Sequence, residues 1–223
     1  SKLFPDLEQG MRHTELIDQY LVHCFEHCPE AREGMALVAL GGYGRRELFP
    51  FSDVDVMLLH EPEAQDRLAA VTEAVFYPLW DAGLEVGHGV RTPAACLDDA
   101  GRDFFFQVAL LDARWLAGSR PLFAELRERF QQSFVEGQRH RFFQAMAEHR
   151  QARHRRFGIH SYLLEPHVKE SRGGLRDIQA LLWTAQAVFG LEDLTALEQA
   201  GLVTAAERTR FEEAWDSLIR MGN

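Results

Sequence analysis

The run Gly41-Gly42-Tyr43-Gly44-Arg45-Arg46-Glu47-Leu48-Phe49-Pro50-Phe51-Ser52-Asp53-Val54-Asp55-Val56 carries the residue types from which chemistry can be argued most directly. Glycines let a backbone come close to a ligand, and amides opening a short helix after such a turn can point at phosphate oxygens. Ten residues separate Gly42 from Asp53, and Asp55 follows two positions later at the start of an apolar run. Side chains two apart on a strand share a face, so Asp53 and Asp55 can hold one or two Mg²⁺ ions between them. Metal held this way lowers the pKa of an attacking hydroxyl and neutralises a leaving pyrophosphate, which is the chemistry of a phosphoryl-type displacement. Taken singly, the acids would be a turn cap and a solvent-facing strand residue. The joint pattern of strand, Gly-Gly, ten residues, Ser-Asp-x-Asp and strand is far more specific.

A second group of charges surrounds Gly173-Gly174 where a helix begins: Lys169, Arg172 and Arg176. Glycines at a helix N-terminus form an anion site to which the cations add charge. The three residues read either as a second wall of a nucleotide cleft or as interdomain salt-bridge partners, and Asp177 either orients one of the arginines or complements the helix N-terminus. Arg139, Arg141, Arg150, Arg153, Arg155 and Arg156 crowd one stretch with Glu148 as the sole acid. They read as bidentate phosphate ligands or as a solvated helix face. His23-Cys24-x-x-His27-Cys28 resembles a metal cluster, but on a helix these side chains fan over ~140°, too wide for one tetrahedral ion. Phe104-Phe105-Phe106 is expected in the core, since three consecutive aromatics cannot share a helix face.

The elements that must position these groups follow from apolar spacing. Thr14 to Cys28 predicts a helix ended by Pro29, and Ala36 to Leu40 a buried strand closed by Gly41-Gly42. Val54 to Leu59 predicts a second strand, and Leu68, Val71, Val75 and Leu79 keep helical spacing within Glu63 to Asp81, stopped by Gly83. Leu84 to Thr92 predicts a third strand bounded by Pro93. Thereafter the pattern is helical: Phe104 to Leu116, Pro121 to Phe130, and a narrow apolar face through Leu175, Ile178, Leu182, Ala185 and Phe189. Ser133-x-x-Glu136, Thr195-x-x-Glu198 and Thr204-x-x-Glu207 match capping boxes and predict three further helix starts. Gly158 to Glu170 predicts an ordered loop. The expected fold class is α+β: a domain with a mixed sheet and an N-terminal helix over residues 1–115, then an all-α bundle over 116–223 that closes the nucleotide cleft. Residues 220–223 carry no helix stop, so a continuation of the chain is expected.

Composition bounds the function classes. The 223 residues are 46% hydrophobic and 26% charged, an ordinary soluble balance, with no apolar run of membrane-spanning length and no apolar signal-peptide core. A net charge of −10 argues against general nucleic-acid coating, and 22 of the 24 cations are arginine, which suits a small polyphosphate better than a duplex. Three cysteines without framework spacing fit a reducing cytoplasm. No P-loop and no nucleophile elbow occurs.

Gly41 to Val56 resembles the signature of the polymerase-β-like nucleotidyltransferase superfamily. Two further segments, Leu79-Trp80-Asp81-Ala82-Gly83-Leu84-Glu85-Val86-Gly87-His88-Gly89-Val90-Arg91-Thr92 and Lys169-Glu170-Ser171-Arg172-Gly173-Gly174-Leu175-Arg176-Asp177-Ile178-Gln179, narrow the resemblance. They are similar to the N-terminal region of the bifunctional uridylyltransferase/uridylyl-removing enzymes that modify the PII nitrogen-signalling protein. The resemblance implies a cytoplasmic, Mg-dependent nucleotidyltransferase that moves UMP from UTP onto a tyrosine of PII and releases pyrophosphate. It implies Asp53 and Asp55 on the metal, Gly41, Gly42 and Ser52 on the terminal phosphates, and Arg45 neutralising phosphate charge. Many superfamily members carry a further aspartate on the third strand. Here the matching region reads Glu85-Val86-Gly87-His88, and Glu85 is either a third carboxylate or a solvent-facing strand-end residue. Family members continue into a hydrolase domain of HD type and two ACT domains, and no His-Asp pair of HD type occurs here. Two rivals stay open: an adenylyl transferase acting on a protein or small molecule, and an inert nucleotide-sensing module.

Overall fold

A computed structural model describes residues 5–31, 33–48, 53–136, 139–157, 175–191 and 193–222. Helix α1, Pro5–His27, sets Ile17, Leu21 and Phe25 on one buried face. Strand β1, Met35–Ala39, is buried along its whole length and runs into the short helix α2, Gly41–Gly44. Strand β2, Val54–His60, follows, then a 3₁₀ segment, Pro62–Arg67, and helix α3, Leu68–Asp81. Gly83, at φ +79°, ends α3: its amide bonds back to Trp80 O at 2.9 Å and that of Leu84 to Leu79 O at 3.1 Å. Strand β3, Val86–Arg91, leads into helix α4, Pro93–Arg102, which Thr92 caps through the Ala95 amide at 3.2 Å.

The sheet has the order β3-β2-β1 and then β4, Arg114–Gly118. Strand β1 runs antiparallel to both neighbours, whereas β2 and β3 are parallel, so the sheet is mixed. Met35, Leu37, Ala39, Val54, Val56 and Leu58 pack into a core with α1 and α3. The opposite face, with Met57 and Leu59, carries α4 and helix α6, Arg120–Phe130; Met57 Sδ accepts from Cys96 Sγ of α4 at 3.4 Å.

The structure corrects the sequence reading at several points. The segment expected as one helix from Phe104 to Leu116 is helix α5, Phe104–Leu111, followed by β4. Arg114-Trp115-Leu116-Ala117 is built largely of good helix formers, but pairing with the open edge of β1 overrides that preference. None of Phe104, Phe105 and Phe106 is fully buried, and Phe105 is 68% exposed. Helix α4 was not foreseen, although Thr92-Pro93 is a cap followed by a proline at the first helical position. Ser133 starts no helix, because α6 continues through a π-helical turn, Gln131–Val135.

One compact unit spans Leu7–Gln132, and Pro5 and Asp6 are grouped with the residues from Ser133 onward in a second; residue 115, the expected boundary, lies inside β4. Described residues of the second unit form helices α7, Arg139–Phe157, α8, Leu175–Phe189, α9, Leu194–Gln199, and α10, Ala205–Gly222. α8 packs on α7 and α10. Asp193, rather than Thr195, caps α9, accepting from the Ala196 amide at 2.7 Å. The third box forms as read: Thr204 N donates to Glu207 at 2.8 Å and Glu207 N to Thr204 Oγ1 at 3.2 Å. The loop expected over Gly158 to Glu170 lies outside the described residues.

Leu58 is fully buried between β1 and β3, whereas Leu16 of α1 is 64% exposed. Leu58→Ala is expected to lower unfolding free energy by about 2–5 kcal/mol and Leu16→Ala by less than about 0.5 kcal/mol. Urea denaturation followed by circular dichroism measures both. Equal losses would contradict this placement of the core.

Candidate active site at one end of the mixed sheet

The glycine turn is built from the end of β1. Leu40 N donates to Asp55 O at 2.9 Å, fixing the turn against the start of β2. Gly41 sits at φ +54°, a conformation that favours glycine, and the turn closes through Gly44 N to Leu40 O, Arg45 N to Gly41 O and Glu47 N to Gly42 O at 2.8–3.1 Å. Gly44 is sterically obligatory: a Cβ there would overlap the carbonyl oxygen of Asp112 and lie 3.2 Å from that of Ala39.

Two ion-paired arginines grip this turn. Arg114 of β4 donates Nη1 and Nη2 to the two oxygens of Asp18 on α1, at 2.7 and 3.0 Å. The same guanidinium donates Nε to Gly44 O at 3.1 Å and Nη2 to Tyr43 O at 3.2 Å, so it satisfies carbonyls that end the helical turn. Tyr43 is buried and its hydroxyl donates to Asp18 at 2.6 Å; burial, then the Asp18 carboxylate, push its pKa up. Arg45 bonds Glu47 at 2.8 Å and makes a very short contact with Asp112. Burial disfavours its charge, but these two carboxylates outweigh that and hold its pKa above the usual arginine value. The Arg45 guanidinium, expected on phosphate, is thus engaged with two acids. Asp18, Asp112 and Arg114 were absent from the sequence reading. The signal for Asp18 was a lone acid beside Ile17 and Leu21 on an otherwise buried face.

The acids lie beside this turn. In β2 every residue is buried except Asp55. Its carboxylate occupies space that neighbouring glycines leave: a Cβ on Gly87 would lie 2.5 Å from Oδ1, and one on Gly41 3.5 Å from Oδ2. Asp53 is exposed just before β2, on the same alternation as Asp55. Val54 N donates to Glu85 O at 2.9 Å, which brings the exposed Glu85 to the same sheet end through its backbone. Among the described residues no three His, Cys, Asp or Glu side chains gather as a metal-holding group, so the carboxylates of Asp53, Asp55 and Glu85 are not assembled as a trio. Gly41, Gly42, Arg45, Asp53, Asp55 and Glu85 therefore share one end of the sheet.

The remaining sequence candidates lie elsewhere. Ser52, Lys169 and Arg172 fall outside the described residues. Arg176 belongs to the second unit, where it donates to Gln179 at 3.1 Å and lies 5.8 Å from the Trp183 ring centroid. Asp177 pairs with Arg150 of α7 at 3.6 Å. The Cys28 thiol donates to Glu30 at 3.4 Å and His27 stacks on His23 at 4.0 Å. No helix among the described residues is long and apolar enough to cross a membrane.

A family model described as GlnD PII-uridylyltransferase matches residues 141–223. The chain is 42% identical over 212 residues to a bifunctional uridylyltransferase/uridylyl-removing enzyme of Thiobacillus denitrificans, covering 94% of this chain and 24% of that protein. An enzyme of the same name from Hydrogenovibrio crunogenus is 41% identical over 213 residues, covering 93% and 23%. One from Erythrobacter litoralis is 38% identical over 216 residues, covering 93% and 24%. The chain thus spans about a quarter of the length of these curated relatives.

Removing the Arg114 side chain leaves the Asp18 carboxylate, itself 20% exposed, with one hydroxyl donor. Arg114→Met is expected to cost about 2–4 kcal/mol, because a partly buried charge loses its partner, the Gly44 carbonyl loses the Arg114 donor and that of Tyr43 keeps only the Arg46 amide. Combining it with Asp18→Asn should cost less than the sum of the single changes, as coupled partners do. Strict additivity in urea titrations would show that the pair does not act as a unit.

Proposed function

This chain carries a quarter-length segment of the bifunctional uridylyltransferase/uridylyl-removing family, and we propose that the segment is its Mg-dependent nucleotidyltransferase part, with a polymerase-β-like fold. The reaction is transfer of UMP from UTP to a tyrosine hydroxyl of the PII protein. The acceptor oxygen bonds to the α-phosphorus, the bond from that phosphorus to the bridging oxygen breaks, and pyrophosphate and a proton leave. The observation that carries this reading is the Asp55 carboxylate lying in the space left by Gly41 and Gly87, with Asp53 exposed two residues before it at the start of β2.

The donor set fits the metal. Asp53 and Asp55 offer hard carboxylate oxygens on one side of a strand end, and the Asp55 carboxylate lies against the side-chain-free positions 41 and 87. When bound, Mg²⁺ supplies charge neutralisation at the α-phosphorus and on the departing pyrophosphate. The chain's own residues do the positioning. Gly41 and Gly42 let the polyphosphate approach the main chain. Arg114 and Arg45, each neutralised by carboxylates, hold the turn in one conformation, so its geometry need not reorganise when substrate arrives. In this reading Arg45 acts by ordering the turn, and Glu85 is a further acid at the same sheet end.

Asp53→Asn and Asp55→Asn are each expected to reduce transfer by at least ~10³, since metal-assisted neutralisation supplies several kcal/mol and each 1.4 kcal/mol is tenfold. Melting should change little, because both side chains are exposed. The chain is incubated with PII, Mg²⁺ and either UTP or ATP, and the mass of PII is followed. A gain of one uridylyl group supports the reading, a gain from ATP alone moves it to adenylyl transfer, and undiminished transfer by both variants would sink the metal assignment.

A further inference from the structure

Strand β3 carries glycine at alternate positions, Gly87 and Gly89, on the face that Asp55 shares by register. Gly87 is covered by the Asp55 carboxylate. Gly89 is covered by a guanidinium: Arg91, two residues on and on the same face, folds back along its own strand so that a Cβ on Gly89 would collide with Nη1. Two same-face positions on a strand stand ~7 Å apart. A carboxylate and a guanidinium thus lie next to each other on a floor made of backbone.

The guanidinium is held from behind. Its Nε donates to Asp99 of α4 at 2.8 Å, and its Cζ stands 4.5 Å from the centroid of the Phe106 ring of α5. Its side chain is 30% exposed, and among the described residues neither Nη donates a hydrogen bond. Arginine presents its donors as a rigid planar fork that fits two oxygens of a phosphate, and an aromatic face behind it preserves that plane. The arrangement differs from Arg45 and Arg114, whose forks are turned onto the glycine turn and its acids.

We propose that Arg91 is a phosphate-binding residue of the active site, its Nη atoms taking oxygens of the nucleotide's polyphosphate beside the metal held at Asp53 and Asp55. Asp99 and Phe106 position the guanidinium, and Gly89 gives it room to lie flat against β3. The inference rests on the transferase reading for the identity of the ligand, whereas the anion site itself stands on the geometry of β3. Nothing but glycine can occupy position 89 while Arg91 keeps this pose.

The test measures binding and turnover separately. UTP and inorganic pyrophosphate are titrated, with Mg²⁺, into the parent chain and into Arg91→Gln, Arg91→Lys and Gly89→Ala, and melting is followed for each. Arg91→Gln is expected to weaken both ligands at least ~10-fold, as loss of a charge-assisted pair does. Arg91→Lys should recover part of that loss. Gly89→Ala should behave like Arg91→Gln although its arginine is intact. In transfer assays the loss should fall on KM for UTP more than on kcat. Parent-like affinity for both ligands in the folded variants, or no pyrophosphate binding by the parent, overturns the proposal. If Gly89→Ala does not fold, the two Arg91 variants decide. A parent that binds pyrophosphate through Arg91 yet transfers no nucleotide would retain the subsite and remove the transferase reading. A parent that transfers UMP with Arg91→Gln unchanged would do the opposite.

Discussion

The contact on which this site depends is the grip of the Arg114 guanidinium on the carbonyls of Tyr43 and Gly44, with Asp18 behind it. A four-residue helical turn has almost no intrinsic stability, since nucleation fixes several dihedrals for very few hydrogen bonds. Here the turn is held by a side chain from β4 and an acid from α1, so an element that would fray alone becomes part of the sheet. The low cost of a second partly buried charge follows from the pairing: Asp18 meets Arg114 with both oxygens and also accepts from Tyr43.

A division of labour among the charges results. Arg114 and Arg45 sit on the turn and are neutralised by Asp18, Glu47 and Asp112. Asp53, Asp55 and Glu85 stay exposed at the same sheet end. An acidic chain thereby keeps the cations that hold the turn neutralised while further acids stay at the surface of the same sheet end. Arg91 differs from these two arginines, as its guanidinium is stacked on Phe106 and paired through Nε with Asp99, while among the described residues its Nη atoms make no hydrogen bond.

How much of this was legible in the sequence depends on the range of the interactions. Gly41 to Asp55 was readable because strand, turn and strand are contiguous and each has its own local signature. The capping box at Thr204 was readable for the same reason. β4 was not, because Arg114-Trp115-Leu116-Ala117 holds one residue of β-preference, Trp115, among helix formers and becomes a strand by pairing with β1. The clamp on the turn escaped for a related cause: Asp18, Tyr43, Asp112 and Arg114 are brought together by the fold, and no local spacing announces them. Phe105 shows the limit of composition, since an aromatic triplet that looks like core leaves its middle ring in solvent.

The Asp55 carboxylate and the bare α-carbon of Gly87 fill a single steric slot from two strands. Position 87 cannot then acquire a side chain while the acid at 55 keeps this pose. A descendant that acquires a side chain at 87 must first lose or redirect the acid at 55, and one that loses the acid is released to fill 87. The residue at 87 thus reports on the one at 55, since a side chain there and an acid in this pose exclude each other.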